Sequence, residues 1–182
     1  MSKGSSDKDS TLAALLRDKP KRGRPRREVS RESVYIELSE EQKERISQIA
    51  ERLPEVFARA DIADLAIMVL AARLEALRRA VAGRTREIPE GITDLDSLYL
   101  LWDLPSPEED TDPRWTSVRV SPQQAIDLGR AHGTLNVLFG ATRSEVFGLG
   151  LSLLENFINL DLTDREVSSL LEMKERIGDL YL

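Results

Sequence analysis

The sequence predicts a mostly α-helical fold with short β-strands, arranged as a strand followed by two helices, twice over. Three observations predict it. The stretch 115–158 reads as an alternating run, a Ser-Pro stop and two helical stripes. Residues 33–82 repeat that succession of periods. Neither unit can bury its own apolar face, and a lone half-apolar strand leaves unpaired backbone edges. The two strands are therefore expected to pair within one chain into a two-stranded ribbon, with the helix pairs behind it.

In chain order, residues 1–31 come first. They hold ten Lys/Arg against four acids, a balance of +6, while the other residues hold sixteen Lys/Arg against twenty-eight acids, a balance of −12. Rich in Ser, Lys, Arg and Pro and poor in apolar residues, 1–31 is expected to be a disordered arm. Leu12, Leu15 and Leu16 could share one side of two helical turns. That length frays on its own, unless it is a docking peptide for a partner. The run Lys19 to Arg27, KPKRGRPRR, centres Gly-Arg-Pro among basic residues. Gly23 lets the backbone lie close to a groove floor. Pro25 biases Arg24 toward an extended backbone. Flat guanidinium groups suit the narrow, strongly negative minor groove of A·T-rich DNA.

Residues 32–82 form the first β-α-α unit. Val34, Ile36 and Leu38 alternate with Ser33, Tyr35 and Glu37, and Ser39 precedes a helix start at Glu40. Sliding the sequence by 82 positions lays this unit on 115–159 without a gap. Val34, Ile36 and Leu38 fall on Thr116, Val118 and Val120. Ile46, Ile49, Ala50 and Leu53 fall on Leu128, Ala131, His132 and Leu135, and Leu65 and Val69 fall on Phe147 and Leu151. Registration through one strand period and two helix periods marks an internal duplication.

Residues 83–114 read as an acidic, Pro-containing linker. Its apolar centre, Leu95 to Leu104, could cover a core edge as a short helix, and its acids could fold back on the basic arm. In the second unit, Trp115, Ser117 and Arg119 take the outward strand face. Pro122 opens a helix, Asn136 to Ala141 reads as a break containing Gly140, and Thr142 with Glu145 forms a capping box. Gly148 and Gly150 inside a helix cost about 1 kcal/mol each relative to Ala; close approach of a paired helix would justify them. Residues 160–182 carry a second capping box, Thr163 with Glu166, and an amphipathic C-terminal helix through Val167, Leu170, Leu171, Lys174 and Ile177, suited to packing or homo-oligomer formation.

The strand-helix-helix order and the phrase GATRSEVF resemble the ribbon-helix-helix (MetJ/Arc-like) DNA-binding family, here as a tandem duplication, and KRGRPRR resembles an AT-hook. The family resemblance implies a strand ribbon in the major groove. It implies double-stranded DNA as the partner, with Ser117, Arg119 and Tyr35 on the reading face. Thr142, Arg143 and Ser144 would meet phosphate at a helix N-terminus. The hook resemblance implies minor-groove contacts from Lys21, Arg22, Gly23, Arg24, Pro25, Arg26 and Arg27 at A·T-rich DNA. The second unit looks competent for DNA. The first, with Asp61 and Asp64 where the second has Arg143 and its neighbours, looks degenerate.

Other function classes find little support. The chain has no cysteine and one histidine, His132, so thiolate and multi-His metal sites within one chain are excluded. His132 replaces Ala50 on an inner helical stripe and reads as a structural, partly buried side chain. No nucleophile elbow or Gly-rich phosphate loop is present, and no constellation of catalytic roles can be assembled. The expectation is a non-enzymatic transcriptional regulator or DNA-architecture factor without cofactor. It would be cytoplasmic, with no membrane partner, and nucleoid-associated if bacterial. The rival expectation is an interaction scaffold whose acidic body binds a protein partner while only the arm touches DNA.

Overall fold

The computed structural model describes residues 30–83, 91–107, 113–161, 167 and 169–181. The hook-like run 19–27, the leucines at 12–16 and the Thr163–Glu166 box lie outside the described residues. Among those described, six helices flank one two-stranded antiparallel sheet. The order is β1 (Glu32–Leu38), α1 (Glu40–Arg52), α2 (Arg59–Ala82), α3 (Leu95–Leu101), β2 (Arg114–Val120), α4 (Pro122–Phe139), α5 (Arg143–Asp161) and α6 (Leu170–Tyr181).

The alternation of each strand sorts its side chains. Ile36, Leu38 and Val120 are buried, and Val34, Thr116 and Val118 are half-buried on the same face. β1 pairs with β2 in a register that sets Val34 against Val118, Tyr35 against Ser117 and Ile36 against Thr116. Local chemistry then starts each helix. Ser39 Oγ accepts from the Gln42 N–H at 2.9 Å while Gln42 Oε1 accepts from the Ser39 N–H at 3.1 Å, a reciprocal cap that satisfies two otherwise orphan donors. Pro122 opens α4 after Ser121, where its missing N–H costs nothing. Thr142 Oγ1 accepts from the Glu145 N–H at 3.2 Å, and the Thr142 N–H donates to Glu145 Oε2 at 2.7 Å.

α2 and α5 form the central pair. In α2, every residue from Ile62 to Leu70 except Met68 is buried. A helix buried nearly all round must be covered on several sides, and α2 meets α4, α5, α6 and β2. The α2–α5 approach is close at Gly150. A Cβ there would lie 3.0 Å from the Ala66 carbonyl oxygen and 3.3 Å from its carbon. Those contacts are backbone, so the glycine is what permits the crossing. At Gly148 a Cβ would meet the flexible end of the Gln42 side chain instead.

Three boundaries differ from the sequence reading. α4 does not break at Asn136; it continues to Phe139 and ends at Gly140, whose φ of 71° closes the helix with an N–H to the Asn136 carbonyl at 2.8 Å. The centre of 83–114 is more than a linker: α3 brings Leu98, Tyr99, Trp102 and Leu104 into the core. Burial pushes the Tyr99 hydroxyl up to about 12. The C-terminal helix begins at Leu170, and Leu160 and Asp161 extend α5. The Arg73 guanidinium of α2 sits 4.5 Å from the Tyr181 ring centre and 5.9 Å from that of Trp102, joining α3 and α6 to the central helix.

Candidate nucleic-acid interface

The ribbon's outer face is built by the strand period alone. Ser33 pairs with Arg119, Tyr35 with Ser117 and Glu37 with Trp115, and all but the half-buried Glu37 are exposed. Tyr35 is 66% exposed and Trp115 71%. They lie diagonally across the ladder. Two large aromatics exposed on the same face of a strand pair make that face a candidate contact surface. Trp115 was not among the site residues expected from sequence, although its outward place in the alternation was legible.

Arg119 stands at one end of this face. One of its Nη2 donors reaches the Arg31 carbonyl at 3.3 Å, and Arg31 Nη1 returns the contact to the Arg119 carbonyl at 3.2 Å. A guanidinium carries five N–H donors, so the fork of Arg119 keeps further donors for an acceptor in front of the ribbon.

The two second helices begin very differently. At α5, Thr142 and Arg143 are exposed. The Thr142 hydroxyl is committed to Glu145, to which it also donates at 2.8 Å, so it braces the helix start. The Ser144 hydroxyl accepts the Glu37 N–H at 2.8 Å and ties α5 to the ribbon. What remains for an anion is the Arg143 side chain and the first-turn N–H groups, which have no intrahelical partner by geometry.

At α2 the same place is filled by the protein. Asp61 Oδ2 accepts the Ala58 N–H at 2.7 Å. Arg31, assigned to the disordered arm from sequence, belongs to the folded body. Its side chain is 12% exposed. Nη2 bonds Asp61 Oδ1, and Nη1 reaches the Ala60 carbonyl at 2.7 Å and Asp64 Oδ2 at 3.1 Å. Asp64 is buried and also accepts the Ser121 N–H at 2.8 Å. Burial raises its pKa above the ordinary aspartate value, against the lowering pull of that N–H and of Arg31. Arg31 and Asp64 were missed as parts of the site's frame; the Asp-x-x-Asp spacing at 61 and 64 was visible, but not that an arginine thirty residues earlier would close on it.

His132 is half-buried on α4. An apolar cavity of about 890 Å³, lined in part by Met68, Leu74, Leu77, Leu135 and Ile177, runs along the C-terminal half of α2. Among the described residues no single helix is long and apolar enough to cross a membrane. No family model, curated protein or solved structure matches the chain.

Proposed function

We propose that this chain is a sequence-specific DNA-binding protein, a transcriptional regulator or a DNA-architecture factor, built as a tandem duplication of a ribbon-helix-helix unit. The β1–β2 ribbon enters the major groove with its outer face first. The start of α5, with Arg143, meets a backbone phosphate, and the basic arm lies in an adjacent A·T-rich minor groove. The compartment this reading asks for is the cytoplasm, on the nucleoid in a bacterium.

The observation that carries the reading is the ribbon face itself: Tyr35, Trp115, Ser117 and Arg119 project from a strand pair whose other face is packed on the core. A two-stranded ribbon fits a major groove about 12 Å wide. The register supports the duplication, since Tyr35 faces Ser117, its own counterpart 82 residues later. The basic arm precedes Arg31, whose backbone carbonyl accepts from the Arg119 side chain. A second reading, a scaffold that touches DNA only through the arm, is favoured by Glu37 on the ribbon and by Asp61 at the start of α2.

The deciding experiment titrates folded variants against duplexes enriched from a randomised pool and against scrambled controls. Arg119→Ala should relax sequence preference by roughly tenfold or more, because a bidentate base contact is lost. Arg143→Ala should weaken binding to every duplex alike, since phosphates carry no sequence information. Removing Arg22 and Arg24 should flatten the salt dependence. If Arg119→Ala and Arg143→Ala both bind like the parent, the scaffold reading replaces this one.

A further inference from the structure

The β1–β2 register places a local two-fold axis through the pair Tyr35–Ser117. That axis exchanges positions 82 residues apart, so it carries Ser33 onto Trp115 and Glu37 onto Arg119. A ribbon made from two identical chains would show the same chemistry at both ends. Here one end carries Ser33 and Arg119, and the other carries Glu37 and Trp115. The flanks differ in the same sense. Beside Arg119, the start of α2 is occupied by Asp61 and closed by Arg31. Beside Glu37, the start of α5 presents an exposed Arg143.

We infer that the ribbon reads a non-palindromic duplex in a single orientation, an inference that rests on the major-groove reading above. Arginine is a donor-only fork and matches the O6 and N7 acceptors of guanine. Glutamate is acceptor-only; in the major groove it is received by the N4 amino group of cytosine and repelled by the acceptors of guanine. Trp115 offers an apolar edge, which fits the methyl group of thymine. Positions 33 and 37 on one strand are separated by about 13 Å at ~3.3 Å per residue, which is about four base-pair steps of ~3.4 Å. The site therefore carries guanine under Arg119. About four steps away, where a palindrome would present the symmetry-related guanine to Glu37, it presents cytosine, with thymine next to it under Trp115. The phosphate contact of Arg143 falls at the cytosine end alone. A homodimer cannot evolve such a reader, because each substitution appears at both ends; a single chain changes one end at a time.

The test is selection from a randomised duplex pool with the full chain, for the parent and for Glu37→Arg, with folding checked by circular dichroism. The parent should enrich a motif that differs from its own reverse complement at the outer pair. Glu37→Arg restores matching chemistry at the two ends and should move that pair toward a palindrome with guanine at both ends, bound roughly tenfold or more tighter than by the parent. Glu37→Gln is a gentler second variant and should change that one position toward adenine, which glutamine pairs bidentately. A palindromic motif from the parent, or an unchanged motif from both variants, overturns the inference while leaving the ribbon as the reader. No duplex enriched over scrambled DNA by the parent overturns the major-groove reading and this inference with it.

Discussion

The unit formed by β1, α1 and α2 and the unit formed by β2, α4 and α5 put the same pieces in the same order, and they part company where the second helix begins. At α5 a threonine-glutamate cap leaves Arg143 in solvent. At α2 the cap position is Ala58, Asp61 in the first turn reaches back to its N–H, and an arginine from before β1 folds over that aspartate. Each solution satisfies only part of the orphan set at its helix start, the Thr142 and Glu145 N–H groups at α5 and the Ala58 N–H at α2. Only the first leaves the positive end of the helix open to an outside anion; the second answers the helix with its own carboxylates and answers those with its own cation. The apolar lattice is shared, since Leu65 and Phe147, and Val69 and Leu151, are all buried at corresponding positions. Packing constrains both units alike, and the polar ends are where they differ.

The largest test of this contrast is Arg31→Ala. It would leave Asp61 and Asp64 facing each other without their cation. Removing one partner of a buried ion pair costs about 3–5 kcal/mol, and because Asp61 keeps some solvent contact, with its side chain 16% exposed, the lower end of that range is expected. Urea unfolding reads the loss directly. A midpoint equal to the parent's would mean that the closed end of the ribbon is no more stable for its arginine.

Gly150→Ala and Gly148→Ala probe where the units touch. The added methyl at 150 meets the Ala66 backbone at 3.0 Å. Overpacking of about 1–3 kcal/mol then outweighs the ~1 kcal/mol gained in helix propensity, and thermal stability should drop. At 148 the neighbour is the side-chain amide of Gln42, which must shift within its Ser39 cap but is not backbone, so the helix gain should offset more of the cost and stability should fall less than at 150. Equal melting temperatures for the two variants would remove the close crossing as the reason for glycine.

Thr142→Ala should cost about 1 kcal/mol, the usual worth of an N-cap hydroxyl, and should loosen α5 without touching α2, whose cap position is already Ala58. Amide exchange in the first turn of each helix separates the two outcomes; equal acceleration in both would contradict independent caps.

The smallest effect concerns pH. Burial raises the folded pKa of Asp64, so between the ordinary value of 3.8 and the raised one the folded state holds a proton that the unfolded chain has released. Stability from this group therefore falls as pH rises through that window. Asp64→Asn cannot titrate, and its amide oxygen still accepts the Ser121 N–H. The parent-minus-variant stability should decline as pH rises from 3.8 through the raised value, and a flat difference would show that Asp64 ionises normally.

Much of the scaffold was readable because it rests on periods. Val34, Ile36 and Leu38 gave the buried strand face by alternation, and Ile46, Ile49, Leu53, Leu128 and Leu135 gave the helical stripes; all are buried except the half-buried Val34. Ser39 and Thr142 signalled helix starts through short-range hydrogen bonds that depend on three residues. The failures depend on distance or on ambiguity. The Arg31 clamp joins residues thirty positions apart and has no local signature. The short apolar run around Leu98 could be read as a cover or a linker, and only the burial of Leu98 and Tyr99 distinguishes them. The end of α4 was placed too early because Val137 and Leu138 break the inner stripe; they are exposed, so the stripe stops before the helix does. On the candidate interface, the outward places of Arg119, Ser117 and Tyr35 were legible because outer strand positions follow from parity. The roles of Thr142 and Ser144 were less legible, since a hydroxyl at a helix start can serve either a ligand or the protein, and here Thr142 braces Glu145 while Ser144 holds the ribbon.

Because β1 and β2 belong to one chain, the ribbon cannot be parted by dilution. A dimeric binder loses its folded form as protomers become scarce, so its stability is tied to concentration, and the amount of active species falls with the square of the chain number. A tethered pair escapes that law. Pairing of its two strands does not depend on protein concentration, and on the DNA-binding reading proposed above the occupied fraction of a site at a few copies per cell would track copy number in direct proportion. On that reading, switching it off by dilution at cell division would take more generations than for a dimer, which would give its state a longer memory.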